Sequence, residues 1–148
     1  GAIEAPRTIS LAKVWLDWFN TLVASVDRKP NRVASVTLTG QTASVAVTPL
    51  PLGTIGPGVW RVSYTVRVTT PASVSSSLSV GVTWTQGSVV QTSTGADLTG
   101  NTTTTRQSGT VVIRVDATTP ISYLTTYASV GTAMAYQLAV VAEQLALD

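Results

Sequence analysis

The sequence predicts a mainly β protein, an antiparallel β-sandwich of jelly-roll type with an N-terminal α-helix. Three observations carry this. Short runs in which apolar and polar residues alternate recur from residue 33 to about 145; Gly- and Pro-containing turns separate them; and the one stretch with helical periodicity stops before Pro30. The 148 residues suffice for one domain with a sizeable core. The expected division is 1–32 as helical arm and connector and 33–148 as the sandwich.

The arm reads ISLAKVWLDWFNTLVASVDR over residues 9–28. Leu11, Trp15, Trp18, Leu22 and Ser25 follow a four-three-four-three spacing, and Val14, Phe19 and Val26 widen the same stripe. Ser10 is placed to cap the first turn, Lys13 and Asp17 stand one turn apart, and Pro30 ends the helix. Two Trp and one Phe lie within five residues. Burial of such side chains is worth roughly 1.5 to 3 kcal/mol each, so they must be covered, either by the arm's own β domain or by copies of the arm in a short bundle. Periodicity alone leaves both solutions open.

The body begins with Val36 and Leu38, and a turn around Gly40 is expected to lead to a second strand through Val45 and Val47. PLPLGTIGPG, residues 49–58, is too rich in Pro and Gly for regular structure and reads as a loop crossing one end of the sandwich. WRVSYTVRVT, residues 60–69, is the clearest strand. Trp60, Val62, Tyr64, Val66 and Val68 point inward, and Arg61 and Arg67 keep the outer face soluble. LSVGVTWT (78–85) repeats the device with Leu78, Val80, Val82 and Trp84, and a turn at Gly87 leads to Val89 and Val90. TVVIRVD (110–116) sends Val111, Ile113 and Val115 inward. ISYLTTYASVG and AMAYQLAVVAE close the chain, the latter read as a strand despite its Ala and Gln because it alternates. Tyr123 and Tyr127 fall where the alternation weakens and are expected to face a partner subunit, where Tyr is favoured for its wet and dry ends. Trp84, in phase with three aliphatics, reads as core.

Chemistry is restricted by composition. The chain has no Cys and no His, which removes disulfides, thiolate chemistry and the commonest base and metal ligand. Serine therefore has no imidazole to activate it, and Lys13 and Lys29 both belong to the arm or its connector. Asp97, Asp116 and Glu143 are the carboxylates of the sandwich proper, and nothing sets two of them across a cleft as glycoside hydrolysis requires. No enzyme activity and no cofactor are expected. A formal charge of +2, with only 11 % of residues charged, argues against nucleic acid as a partner. Arg28, Lys29 and Arg32 form the one basic group, read as a solvated connector. No leader pattern precedes the chain and no run approaches 18 apolar residues, so no membrane insertion is expected. The start at Gly1-Ala2-Ile3 without Met leaves room for a natural chain that extends upstream.

GNTTTTRQSG, residues 100–109, sets four threonines before an arginine. It is either a strand start or an exposed loop, with Thr103, Thr104 and Arg106 as candidate contacts for a polar ligand such as a host surface glycan. Asp97 and Asn101 in DLTGN are read as capping their own turn at Gly100 rather than holding a cation. The segments WRVSYTVRV, TGNTTTT, RVDATTPISYLTTYASVG and YQLAVV, spread over roughly residues 36–145, resemble the carboxy-terminal modules of virion proteins from tailed bacteriophages and prophages, associated with tail fibres or other appendages. The resemblance implies a non-enzymatic virion component, a β-sandwich forming a homotrimer behind a linking helix, with other virion proteins as partners. It places Leu11, Trp15, Trp18 and Leu22 near the axis. The alternative is a carbohydrate-binding module for bacterial surface polysaccharide.

Overall fold

The structure, a computed structural model, describes residues 11–27, 32–116 and 118–147. The expected cap at Ser10 and stop at Pro30, with Arg28 and Lys29, lie outside the described residues. The helix α1 spans Leu11–Asp27. Eight strands follow: β1 Val33–Gln41, β2 Thr48–Pro49, β3 Gly58–Thr70, β4 Ser75–Gln86, β5 Val89–Thr94, β6 Arg106–Val115, β7 Ser122–Val130 and β8 Ala135–Leu147. They form two four-stranded antiparallel sheets, β1-β8-β3-β6 and β2-β7-β4-β5. Apart from the β4–β5 hairpin, successive strands cross between sheets, and each sheet interleaves early and late strands, which is the jelly-roll arrangement.

The inward set on β3 is the one its alternation predicts. Trp60, Val62, Val66 and Val68 are buried with Tyr64, and Ile113 and Val115 of β6, Leu138 and Val140 of β8 and Leu78, Val80 and Val82 of β4 join them. Trp84 is partly buried against this core. Trp60 is fully enclosed, at 0 % exposure. The 50–57 segment is irregular as expected, yet it seats Leu50, Leu52 and Ile55 in the core, so it plugs one end of the sandwich. Arg32 is exposed, as a solvated connector residue would be, and it also makes specific contacts. Its guanidinium donates to the carbonyls of Thr54 (2.9 Å) and Leu52, tying the plug to the start of β1.

Three local features depart from the sequence reading. Gly40, at φ +64, sits in a bulge of β1 between Leu38 and Gln41 rather than in a hairpin turn. The chain then runs without strand structure through Val45 and Val47 toward the second sheet. A relay of hydroxyls holds this crossing. The Val45 amide donates to Thr125 Oγ1 (2.8 Å), Thr125 Oγ1 and the Tyr136 phenol lie 2.8 Å apart, and Tyr136 donates to the Ala43 carbonyl (2.8 Å). The third departure concerns the tyrosines. Tyr123 is 3 % exposed and belongs to the core, not to a surface that meets a partner. Tyr127 packs against that core, stacks on Tyr136 at 5.9 Å and donates to the Met134 carbonyl (2.9 Å). The alternation weakens there because the inward position between them is Thr125, a polar residue whose hydrogen bonds are met inside.

Burial pushes the Tyr136 phenol above its ordinary value of 10.0, the hydrogen bond with Thr125 pulls it partly back and nearby Tyr127 adds to the rise. A phenol whose pKa is raised by folding contributes stability that is complete below the unfolded value and is lost as pH climbs through the folded one. A phenolate also has no proton to give Ala43. With no His or Cys to titrate, unfolding midpoints are expected to stay level from about pH 6 to 9 and to fall above about pH 10, with Tyr136→Phe removing much of the alkaline fall. Urea titrations across that range check it.

The β4–β5 hairpin turns on Gly87 and Ser88, both at positive φ (59 and 61), the pair of conformations that suits a two-residue connection. Gly109 meets a different demand. It stands directly opposite Tyr64, and a Cβ there would lie 2.4 Å from the ring. The ring cannot slide away, since its hydroxyl already occupies the Cβ position of Gly95, 1.9 Å off. Gly109→Ala is therefore expected to cost about 1 to 3 kcal/mol in thermal or urea unfolding, and Tyr64→Val in the same chain should recover part of the loss.

Candidate functional site

Two surfaces carry the sequence-predicted residues. The first is α1. Every side chain from Leu11 to Val23 is exposed, Trp15 at 58 % and Trp18 at 56 %, and among the described residues the helix makes no substantial contact with any strand. The arm thus leaves its stripe uncovered by its own sandwich. Leu11, Trp15, Trp18 and Leu22 line one face, with the two indoles edge-to-face at 5.6 Å. Val14 extends this face on one side, and Phe19, Val23 and Leu16 on the other. At 3.6 residues per turn the apolar arc spans about 200°. Lys13, Asp17, Asn20 and Thr21 occupy the remainder.

The second surface joins the threonine turn to the outer face of the first sheet. Residues 102–105 form a turn closed by its own hydroxyls: the Thr105 amide donates to the Thr102 carbonyl (2.9 Å), the Thr102 amide to Thr105 Oγ1 (3.2 Å), and Thr102 Oγ1 meets those of Thr104 and Thr105 at 2.9 and 3.0 Å. Asn101 does not cap this turn. Its side-chain amide accepts from the Ala72 amide and donates to the Ala72 carbonyl, both at 2.8 Å, and also accepts from Ser76 Oγ. That bidentate clasp, with the Val68 amide donating to the Thr105 carbonyl (3.0 Å), docks the turn beside β3. Thr103, Thr104 and Arg106 come together as the sequence suggests. Arg67, which sequence reading assigned only to solubility, completes the group, because β3–β6 register sets it directly opposite Arg106. These four line a cleft of about 380 Å³. Strand pairing was the missing signal, and local alternation does not contain it.

Two of the three carboxylates of the sandwich have structural occupations, and Asp97 is exposed. Glu143 pairs with Arg61 across β3 and β8, and Asp116 accepts from the Gly87 amide. Among the described residues no group of three or more His, Cys, Asp or Glu could hold a metal ion, and no helix is long and apolar enough to cross a membrane.

No protein-family model matches the chain, and a search of curated proteins returns no significant relative. Solved structures resemble it distantly. The vertex protein P5 of PRD1 aligns over 78 % of this chain and 98 % of its own, at 17 % identity and TM-score 0.46. The capsid of Helicobacter pylori bacteriophage KHP30 aligns over 81 % and 94 %, at 12 % and 0.43. Dimeric latent PorU from Porphyromonas gingivalis aligns over 80 % of this chain but 13 % of its own, at 12 % and 0.44. At such distances nothing about ligand, partner or activity passes from those proteins to this chain.

Proposed function

We propose that the protein is a non-enzymatic virion module of a tailed phage or prophage, a jelly roll that assembles as a homotrimer through its amino-terminal helix and serves as the tip or appendage domain of a tail fibre-like protein alongside other virion proteins. The uncovered apolar arc of α1 carries the assembly reading. A stripe of about 200° is wider than the seam a single partner helix covers, and a helix in a ring of three meets two neighbours. Leu11, Trp15, Trp18 and Leu22 then face the axis, while Phe19, Val23 and Leu16 meet the next helix around. Tyr123, buried in its own chain, takes no part. The sequence resemblance supplies the virion setting.

Because the chain lacks Cys, one introduced thiol reports geometry cleanly. Leu22→Cys is expected to oxidise to a disulfide-linked pair of chains, whereas Asn20→Cys, on the polar side of the same turn, stays unlinked. Linkage at Asn20 and not at Leu22 would contradict the arrangement. A second reading, attachment to a host surface glycan, is favoured by the cleft at Arg67, Thr103, Thr104 and Arg106, which a purely architectural domain does not require.

A further inference from the structure

The geometry points to an oxyanion site at the Arg67–Arg106 pair, taking the carboxylate or phosphate of an acidic saccharide. It deepens the attachment reading and rests on it. Like charges directly opposite on antiparallel strands repel, so such a pair calls for a counter-charge. The same sheet face shows how the chain supplies one: six residues earlier on β3, Arg61 faces Glu143 of β8 and the two form an ion pair. In the row of Arg67 the β8 position holds Gln137. Its Oε1 accepts from Arg67 Nε (2.9 Å), which orients the guanidinium without neutralising it. That leaves the paired Nη groups, a fork matched to a carboxylate or phosphate. The Arg106 guanidinium has no hydrogen-bond or ion-pair partner among the described residues, and neither does the Thr103 hydroxyl. Thr104 Oγ1 has one contact, with Thr102. The cleft thus gathers two uncompensated guanidiniums and two hydroxyls on a turn already fastened by Asn101 and Val68.

The neighbouring surface indicates the carrier of the anion. Between the Arg67 row and the Arg61 row, the outer face presents Thr65 against Ser108 (3.2 Å between hydroxyls) and Ser63 against Thr110 (3.2 Å), with Thr37 and Ser35 along β1. A field of hydroxyls suits a polyhydroxylated chain lying across the strands. Its apolar members are Ala139 and Val141 of β8, the latter 39 % exposed, and it carries no aromatic side chain of the kind on which protein interfaces concentrate their energy.

The test uses the intact chain with ¹⁵N-labelled arginine, reading Nε–Hε signals during titration with trigalacturonate, inorganic phosphate, maltotriose and a hexaglutamate peptide. Trigalacturonate and phosphate are expected to shift the Arg67 and Arg106 signals, maltotriose to leave them in place, and Arg106→Gln or Arg67→Gln to weaken trigalacturonate binding by roughly tenfold or more, with Arg106→Lys retaining part of it. Unmoved signals of Arg61 and Arg114 in each variant confirm that the sheet is intact. Absence of any shift with both anions overturns the site. Maltotriose binding that survives Arg106→Gln also overturns it while leaving attachment through a neutral glycan standing, so the two ideas fail separately. Hexaglutamate binding more tightly than trigalacturonate overturns the saccharide and assigns the pair to an acidic protein segment.

Discussion

Replacing Trp15 and Trp18 together by Ala is expected to convert the proposed trimer to monomers while leaving the sandwich folded. Both indoles stand more than half exposed on the single chain, and among the described residues their helix packs on no strand to any substantial extent. In the proposed assembly the stabilisation they give comes from neighbouring chains. At roughly 1.5 to 3 kcal/mol for each large apolar side chain, six indoles in one trimer amount to about 10 kcal/mol or more, which is several decades in the assembly constant. Sedimentation velocity should show the loss of the larger species, and the β signature of the circular dichroism spectrum should persist. A double variant that stays trimeric would move the interface to the sandwiches.

Trp60→Ala should do the reverse. This indole is completely enclosed between the sheets, so its removal leaves a cavity that packed neighbours fill only in part, at a cost of about 3 to 5 kcal/mol. For a domain of this size that corresponds to a fall of roughly 10 to 20 °C in unfolding midpoint. The loss should be independent of protein concentration, because it belongs to one chain. Trp60→Phe is expected to cost much less: the indole Nε1 is buried without a hydrogen-bond partner among the described residues, so Phe loses volume but also removes an unsatisfied donor. The same residue type is thus assigned two physical roles. A scan in which Trp60→Ala lowered assembly and the arm variants lowered core stability would contradict both assignments.

The strands were legible wherever one face is apolar and the other polar, as on β3 and β6, because period-two alternation reports a half-buried sheet directly. The helix was legible from the four-three spacing for the same reason. What failed were places where a polar residue faces inward or an apolar one leaves the ladder. Thr125 interrupts the inward row of β7 and made Tyr123 look like surface; Val45 runs beside β7 without forming a strand of its own. Of the polar cleft, the sequence offered Thr103, Thr104 and Arg106 because they are neighbours in the chain. Arg67 is 39 positions from Arg106 and reaches it only through the β3–β6 register, and Asn101 clasps Ala72 across 29 positions. Neither partnership leaves a local trace.

Assembly through α1 is tested most directly by sedimentation equilibrium of the intact chain at micromolar concentration. The expected result is a single species of three times 15.4 kDa. A species of 15.4 kDa would show that the exposed Trp15 and Trp18 face no partner copies, and would contradict the proposed trimer.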